Sequence, residues 1–438
     1  MKRNSALSVI AAGLLCVPAL LLQAEAVSPP QLLRTALPRP VVFQQDARSA
    51  LTVFQVLVPA GIRSVPADRR GLAFLAARSV MEIPSGDAVK ELMEMGTQFS
   101  SWVDGDLAVL SMTALSEHFP ASLKILASML KKPLITGIRI QRVKEWMSRR
   151  ERAESDSPRA VIVQMMVDHF LGAQGYAGAA MGSEKTRAGL GRRHVLDHIQ
   201  AHYHSGRMGF CVVSDLDAEQ VKALLEAHLR LDKAAPEPTL ATAPSAGGCD
   251  ADPASAFREL QQPLLAWGMP LPPQDAQSFL LARLSARLLA RGPGSIAWHL
   301  RDPLAMAYTV DCEIRHFSGG GAMVVMVRTA PEQVEPACRE LEARLDDIAA
   351  AGISQQQLAA AVRLESVNWL RAWQSKPERA WLLGSFALNG PGMAVVSAYD
   401  SRLRELTLAE VNAFLSRLLA RGARHRVILG KAAKEEKP

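Results

Sequence analysis

His194, His198 and His202 recur at every fourth position, with His204 just beyond them. On a helix this spacing aligns three imidazoles on one face, where adjacent pairs can chelate zinc. No cysteine or carboxylate stands at a spacing that completes the set. Two outcomes therefore remain open, a solvated polar face or an adventitious or regulatory metal site, and the solvated face is the plainer expectation. A second pair is Arg301 and Tyr308, seven apart within Gly294–Val310, GSIAWHLRDPLAMAYTV. A guanidinium and a phenol are strong donors for a peptide carbonyl or a developing oxyanion. The plain alternative is a surface ion pair and a strand aromatic. Phe317–Gly321, FSGGG, lacks the lysine and hydroxyl residue of a phosphate loop and reads as a hairpin turn. Gly292–Ser295 lacks the G-x-S-x-G of a serine nucleophile elbow. Trp369 and Trp373 lie one helical turn apart and read as core.

The elements that must hold these residues alternate in an α+β pattern. In the first half, strands are expected at Leu51–Val58, Leu107–Ala114 and Met208–Val213. Helices are expected at Arg70–Glu82, Glu117–Leu130, Ile138–Glu154, Pro158–Leu171, His194–His204 and Ala218–Leu229. The glycine-rich run Gly172–Gly182 reads as a loop with the composition of a mobile one. In the second half, strands fall at Leu264–Met269, Ala307–Ile314, Ala322–Thr329 and Arg426–Leu429. Its helices fall at Gln274–Leu289, Pro331–Ala350, Ser354–Trp373 and Leu408–Leu419.

The two halves repeat one plan. Leu126, Leu130, Gly137 and Ile138 match Leu341, Leu345, Gly352 and Ile353, each 215 positions on. Val195, Ile199 and Gly206 match Val411, Leu415 and Gly422 at 216. A near-constant offset over separate blocks marks an internal duplication. The copy of the histidine helix, Glu410–Leu418, carries no histidine. Ala234–Pro253, rich in proline and small residues, reads as a linker, giving domains at 27–233 and 254–438.

The chain of 438 residues is 49% apolar, enough for a large core, with 50 basic against 43 acidic residues. Its charges are interspersed and its aromatics scarce, which argues against nucleic-acid binding. Lys2 and Arg3, the apolar run Ala6–Leu22 and Ala24-Glu25-Ala26 read as an export signal cleaved after Ala26. Leu15 before Cys16 disfavours a lipid anchor. A periplasmic location, with no membrane attachment after cleavage, is the expectation. Cys211, Cys249, Cys312 and Cys338 form no C-x-x-C pair and are expected to be buried or free thiols.

The helix opening Gly71–Arg78, GLAFLAAR, follows a strand and a polar turn. In that setting it resembles the zinc-site helix of the M16 peptidases, the insulinase and mitochondrial-processing-peptidase family. There the segment reads roughly GLAHFLEH, with two zinc-binding histidines and a glutamate that activates water. Here those three positions hold Phe74, Ala77 and Arg78, and a guanidinium has no lone pair for a metal. The family's third ligand, a glutamate before the next helix, falls on Arg150, with Glu151 and Glu154 close by. The Gly294–Val310 segment resembles the family's SRLxxxLRExxGLAYSV, so Arg301 and Tyr308 match its substrate-binding arginine and tyrosine. The family's glycine is Ala305 here, which should stiffen the turn. The resemblance implies two homologous halves, each an antiparallel sheet packed with helices, facing each other as a clam shell. It further implies a subunit with no zinc of its own, paired with an HxxEH-bearing zinc peptidase as a heterodimer acting on peptides or unfolded proteins. The competing expectation is an exported peptide-binding or scaffold protein with no part in proteolysis.

Overall fold

A computed structural model describes residues 27–229, 231 and 260–430. The expected export signal, the linker and Cys249 lie outside the described residues. Two sheets organise the chain. The first runs β1 (Gln31–Leu33), β2 (Val41–Gln45), β6 (Gly209–Ser214), β3 (Leu51–Val58), β5 (Ala108–Leu115) and β4 (Gln98–Val103) in spatial order. The second runs β10 (His425–Leu429), β7 (Leu264–Leu271), β9 (Gly320–Arg328) and β8 (Thr309–Phe317). The second sheet is antiparallel throughout. The first departs from expectation in one place, because β2 pairs parallel with β6. Strand β2 follows Pro38 and Pro40, and its partner β6 lies far along the chain, so nothing local marks it.

Helices of the two halves correspond as the repeat requires. Phe119–Lys131 answers to Val334–Ala351, Gly137–Ser155 to Gln355–Ala372, and Arg192–His202 to Leu408–Leu418. The expected helix Pro331–Ala350 begins instead as a 3-10 turn over Pro331–Gln333. Sequence reasoning overlooked Lys376–Leu388, the counterpart of Pro158–Leu171. Both helices start with a serine cap and proline in the first turn, Ser157-Pro158 and Ser375-Lys376-Pro377.

These two helices cross between the halves. Pro158–Leu171 lays Ile162, Val163, Met166 and Val167 on Leu264, Ala266, Val324 and Met326 of the second sheet. Lys376–Leu388 packs Ala380 and Leu383 on the first sheet, against Val53, Leu57 and Val213. Apolar residues therefore run along strands such as β3 without a solvent face. Phe54, Val56 and Val58 join the first half's own helices, whereas Val53 and Leu57 meet the crossing helix. Close approach is allowed by glycine: a Cβ on Gly268 would sit 2.3 Å from Met166 Sδ, and one on Gly384 2.7 Å from Leu57.

Polar groups fix the second crossing helix in register. Lys376 Nζ donates to the carbonyls of Asp46, Ser49 and Leu51 at 2.8, 2.7 and 2.7 Å. Gln55 Nε2 donates to Pro377 O at 3.1 Å. Buried Arg379 pairs with buried Asp46, which also receives Arg48 at 2.8 Å. Burial alone would raise the Asp46 carboxyl; the hydrogen bonds from Arg48 and Arg379 outweigh it and hold the group well below the usual range. Its contribution is thus complete above about pH 4 and is lost as pH falls toward the lower folded value. Asp46→Ala leaves Arg379 buried without a counter-ion, and should cost about 3–5 kcal/mol in urea denaturation near neutral pH.

Candidate functional site

The crossing leaves two cavities between the halves, of about 350 and 530 Å³. Asp104, Arg315 and Phe317 line both. The smaller also receives Arg283, Arg291 and Trp381, and the larger receives Arg150, Glu154, Val167 and Tyr176. The wall between them is a polar joint. The β8–β9 hairpin turns at Ser318-Gly319, as FSGGG predicts, and Ser318 N donates to Asp106 Oδ2 at 2.8 Å. Tyr176 OH donates to Asp106 Oδ1 at 2.8 Å and accepts from Arg63 at 3.0 Å and Gly319 N at 3.1 Å. Its ring stacks on Phe317, with centroids 4.9 Å apart. Sequence reasoning passed over this joint, since the Asp104-Gly105-Asp106 turn is the one local signal and its partners lie far along the chain.

Gly172–Gly182 is pinned rather than loose. Asp168 Oδ1 accepts from Gly178 N at 2.8 Å, Arg70 donates to Gly175 O at 2.8 Å, and Arg187 donates to Met181 O at 3.1 Å. Buried arginines and a carboxylate replace the contacts that the glycines cannot make.

Arg301 and Tyr308 sit apart from both cavities, on the second half. Arg301 follows the turn Ala297–Leu300, and its guanidinium lies 4.5 Å from the Trp298 ring centroid. Tyr308 precedes β8, is 55% exposed, and is anchored by its backbone N–H to Arg328 O at 2.8 Å. Neither side chain makes a hydrogen bond to another described residue, so both keep their donors. Between them Ala305 takes φ +52°, the left-handed region that favours glycine. The stiffening expected there is backbone strain.

Residues 40–184 match the family model described as insulinase (peptidase family M16), and residues 190–364 match the peptidase M16 inactive domain. The chain belongs to the M16 peptidase family. An "uncharacterized zinc protease" of Rickettsia felis is 21% identical over 281 residues, covering 63% of this chain and 67% of that protein. Among solved structures, a peptidase M16 inactive domain from Pseudomonas fluorescens superposes with TM-score 0.77 at 18% identity, covering 94% of this chain and all of that one. A Helicobacter pylori protease superposes at 0.78 and 14% identity, covering 92% and 99%. At these identities the likeness is one of fold, and that fold has two homologous α+β halves.

The M16 zinc does not fit this chain's first half. Phe74 is buried and stacks on Trp146, with ring centroids 5.6 Å apart and planes within 4°. Arg78 covers the same indole at 5.7 Å and lies 3.9 Å from Glu82. Ala77 is fully buried in the core. Arg150 donates to Glu154 at 3.0 Å, and Glu151 accepts from Arg187 at 3.0 Å, so each nearby carboxylate is held by an arginine. The fold brings Arg150 and Glu154 to the larger cavity, while Phe74, Ala77 and Arg78 line neither. Among the described residues no three His, Cys, Asp or Glu side chains converge as a metal ligand set.

The histidine face is only partly solvated, short of expectation, with His194 and His202 half-buried and His198 buried. His198 is 6% exposed, and its ring lies 4.5 Å from that of His202. Burial pushes His198 down to about 3 and His202 to about 4, so both are neutral near pH 7. The helix packs inward because Val195 joins Phe74 and Leu75 in a core cluster. Cys211, Cys312 and Cys338 are buried free thiols, as expected.

Two outcomes test this geometry. Burial pushes the Asp104 carboxyl up to about 7, assisted by the neighbouring Asp106 charge and opposed by the N–H groups of Leu107 and Asp106. The folded protein therefore keeps a proton that the unfolded chain releases near pH 4, and stability declines between about pH 4 and 7. Asp104→Asn should gain on the parent across that window, by roughly 1–2 kcal/mol at pH 8 after discounting for solvent screening. Thermal melts from pH 4 to 8 would read it. Ala305→Gly should relieve the left-handed strain and raise stability by up to about 1 kcal/mol, measured by urea denaturation.

Proposed function

We propose that this chain is the non-catalytic subunit of an exported two-subunit M16 peptidase. In this reading it binds peptide and presents Arg301 and Tyr308 to a zinc site carried by an HxxEH-bearing partner. The observation that carries the proposal is a contrast within one molecule: two exposed donors kept free in the second half, and a first-half zinc helix closed by Phe74, Trp146 and Arg78. Zinc in the partner would polarise the scissile carbonyl and activate water. Arg301 and Tyr308 would donate to the carbonyl oxygen as it gains charge, an effect largest in a site that excludes water. The edge strand β4, whose Val103 lines the larger cavity, offers unpaired backbone groups to an extended substrate.

The same edge and cavity also favour a second reading, capture of peptides without cleavage. Turnover by the chain reconstituted with its HxxEH partner separates the two. Tyr308→Phe and Arg301→Ala should each lower kcat by about 100-fold or more with the fold unchanged. Unchanged turnover in both variants would overturn the assignment and leave the peptide-capture reading.

A further inference from the structure

The helix Arg192–His202 and the residue after it hold a donor set that no protein group satisfies. His198 Nε2, His202 Nδ1 and Tyr203 OH are each buried without a hydrogen-bond partner. Buried polar atoms are nearly always paired with protein, ordered water or an ion. Here three such atoms fall within six residues of chain. The two imidazole rings lie 4.5 Å apart with planes tilted by 46°, and the phenol ring is 6.3 Å from His198. His194 drops out of the set. Its Nδ1 accepts from Gly191 N at 3.1 Å, so the neutral ring carries its proton on Nε2 and has no lone pair to give there.

We propose that His198 Nε2 and His202 Nδ1 bind a divalent transition-metal ion of the zinc, nickel or copper class. Neutral imidazole suits these ions, and residues four apart on a helix can close on one of them. Tyr203 OH is placed to donate to an ion-bound water. With no third His, Cys, Asp or Glu converging among the described residues, water completes the coordination. His202 is half-buried, the more exposed of the two ligands. The charge of Arg207 beside His202 opposes a cation, which makes the site exchangeable rather than tight. The ion would fasten the end of a helix that packs on Leu72–Val80.

The test is calorimetric titration of the chelator-stripped full chain with Zn²⁺, with Cu²⁺ binding followed by paramagnetic resonance for nitrogen coupling. One equivalent of saturable binding is expected, with coupling to two imidazole nitrogens. His202→Ala should weaken it by about tenfold or more, and His194→Ala should leave it unchanged. His198→Asn gives the second ligand's test; should it fail to fold, half-buried His202 still decides the matter. No saturable binding would overturn the proposal and assign the three atoms to a buried water. Binding that survives His202→Ala, or that is lost with His194→Ala, would overturn it equally by placing the ion elsewhere.

Discussion

Arg379 and Lys376 are cations of the second half sunk into the first, and the way they are satisfied there fixes how the halves meet. Leaving the buried Arg379 guanidinium without a counter-ion is costly, and Asp46 is the carboxylate that meets it. Lys376 is held by three carbonyls at the mouth of β3, a cage that only one placement of the crossing helix can satisfy. Apolar contacts on β3 and β6 provide the larger share of the attraction but are not directional. The polar cage selects the register.

Reciprocity follows from that join. The first half lends Pro158–Leu171 to the second sheet, and the second lends Lys376–Leu388 to the first. Each sheet is thereby covered on a face that its own half leaves open, so the duplication has produced a body whose cores interlock. The cavities lie where this interlocking leaves space, walled by the Arg63, Tyr176, Asp106 and Ser318 joint.

In the first half, the positions that the resemblance matches to zinc ligands are filled by packed side chains. Phe74 stacks on the Trp146 indole, which the Arg78 guanidinium also covers. Glu151 and Glu154, which a metal could have recruited, face arginines instead. The second half followed the opposite course. Arg301 and Tyr308 stay exposed on either side of a strained turn at Ala305, with no side-chain hydrogen bond to another described residue.

The duplication, the α+β alternation and strands such as β3 and β9 were determined by the sequence alone, as was the absence of histidine and glutamate from GLAFLAAR. Each of these is written in local residue types or in a repeat offset, since apolar period and side-chain chemistry are properties of short segments. Family membership was legible for the same reason, in GLAFLAAR and in the Arg301–Tyr308 spacing. Tertiary structure alone decided which sheet each crossing helix covers, the parallel β2–β6 pair, the Asp104 environment and the inward turn of His198. All of these rest on contacts between residues far apart in the chain. Pro158–Leu171 is apolar on nearly every side, a pattern that says it is buried but not by what. A histidine row looks polar, and only the neighbouring core at Val195, Phe74 and Leu75 turns His198 inward.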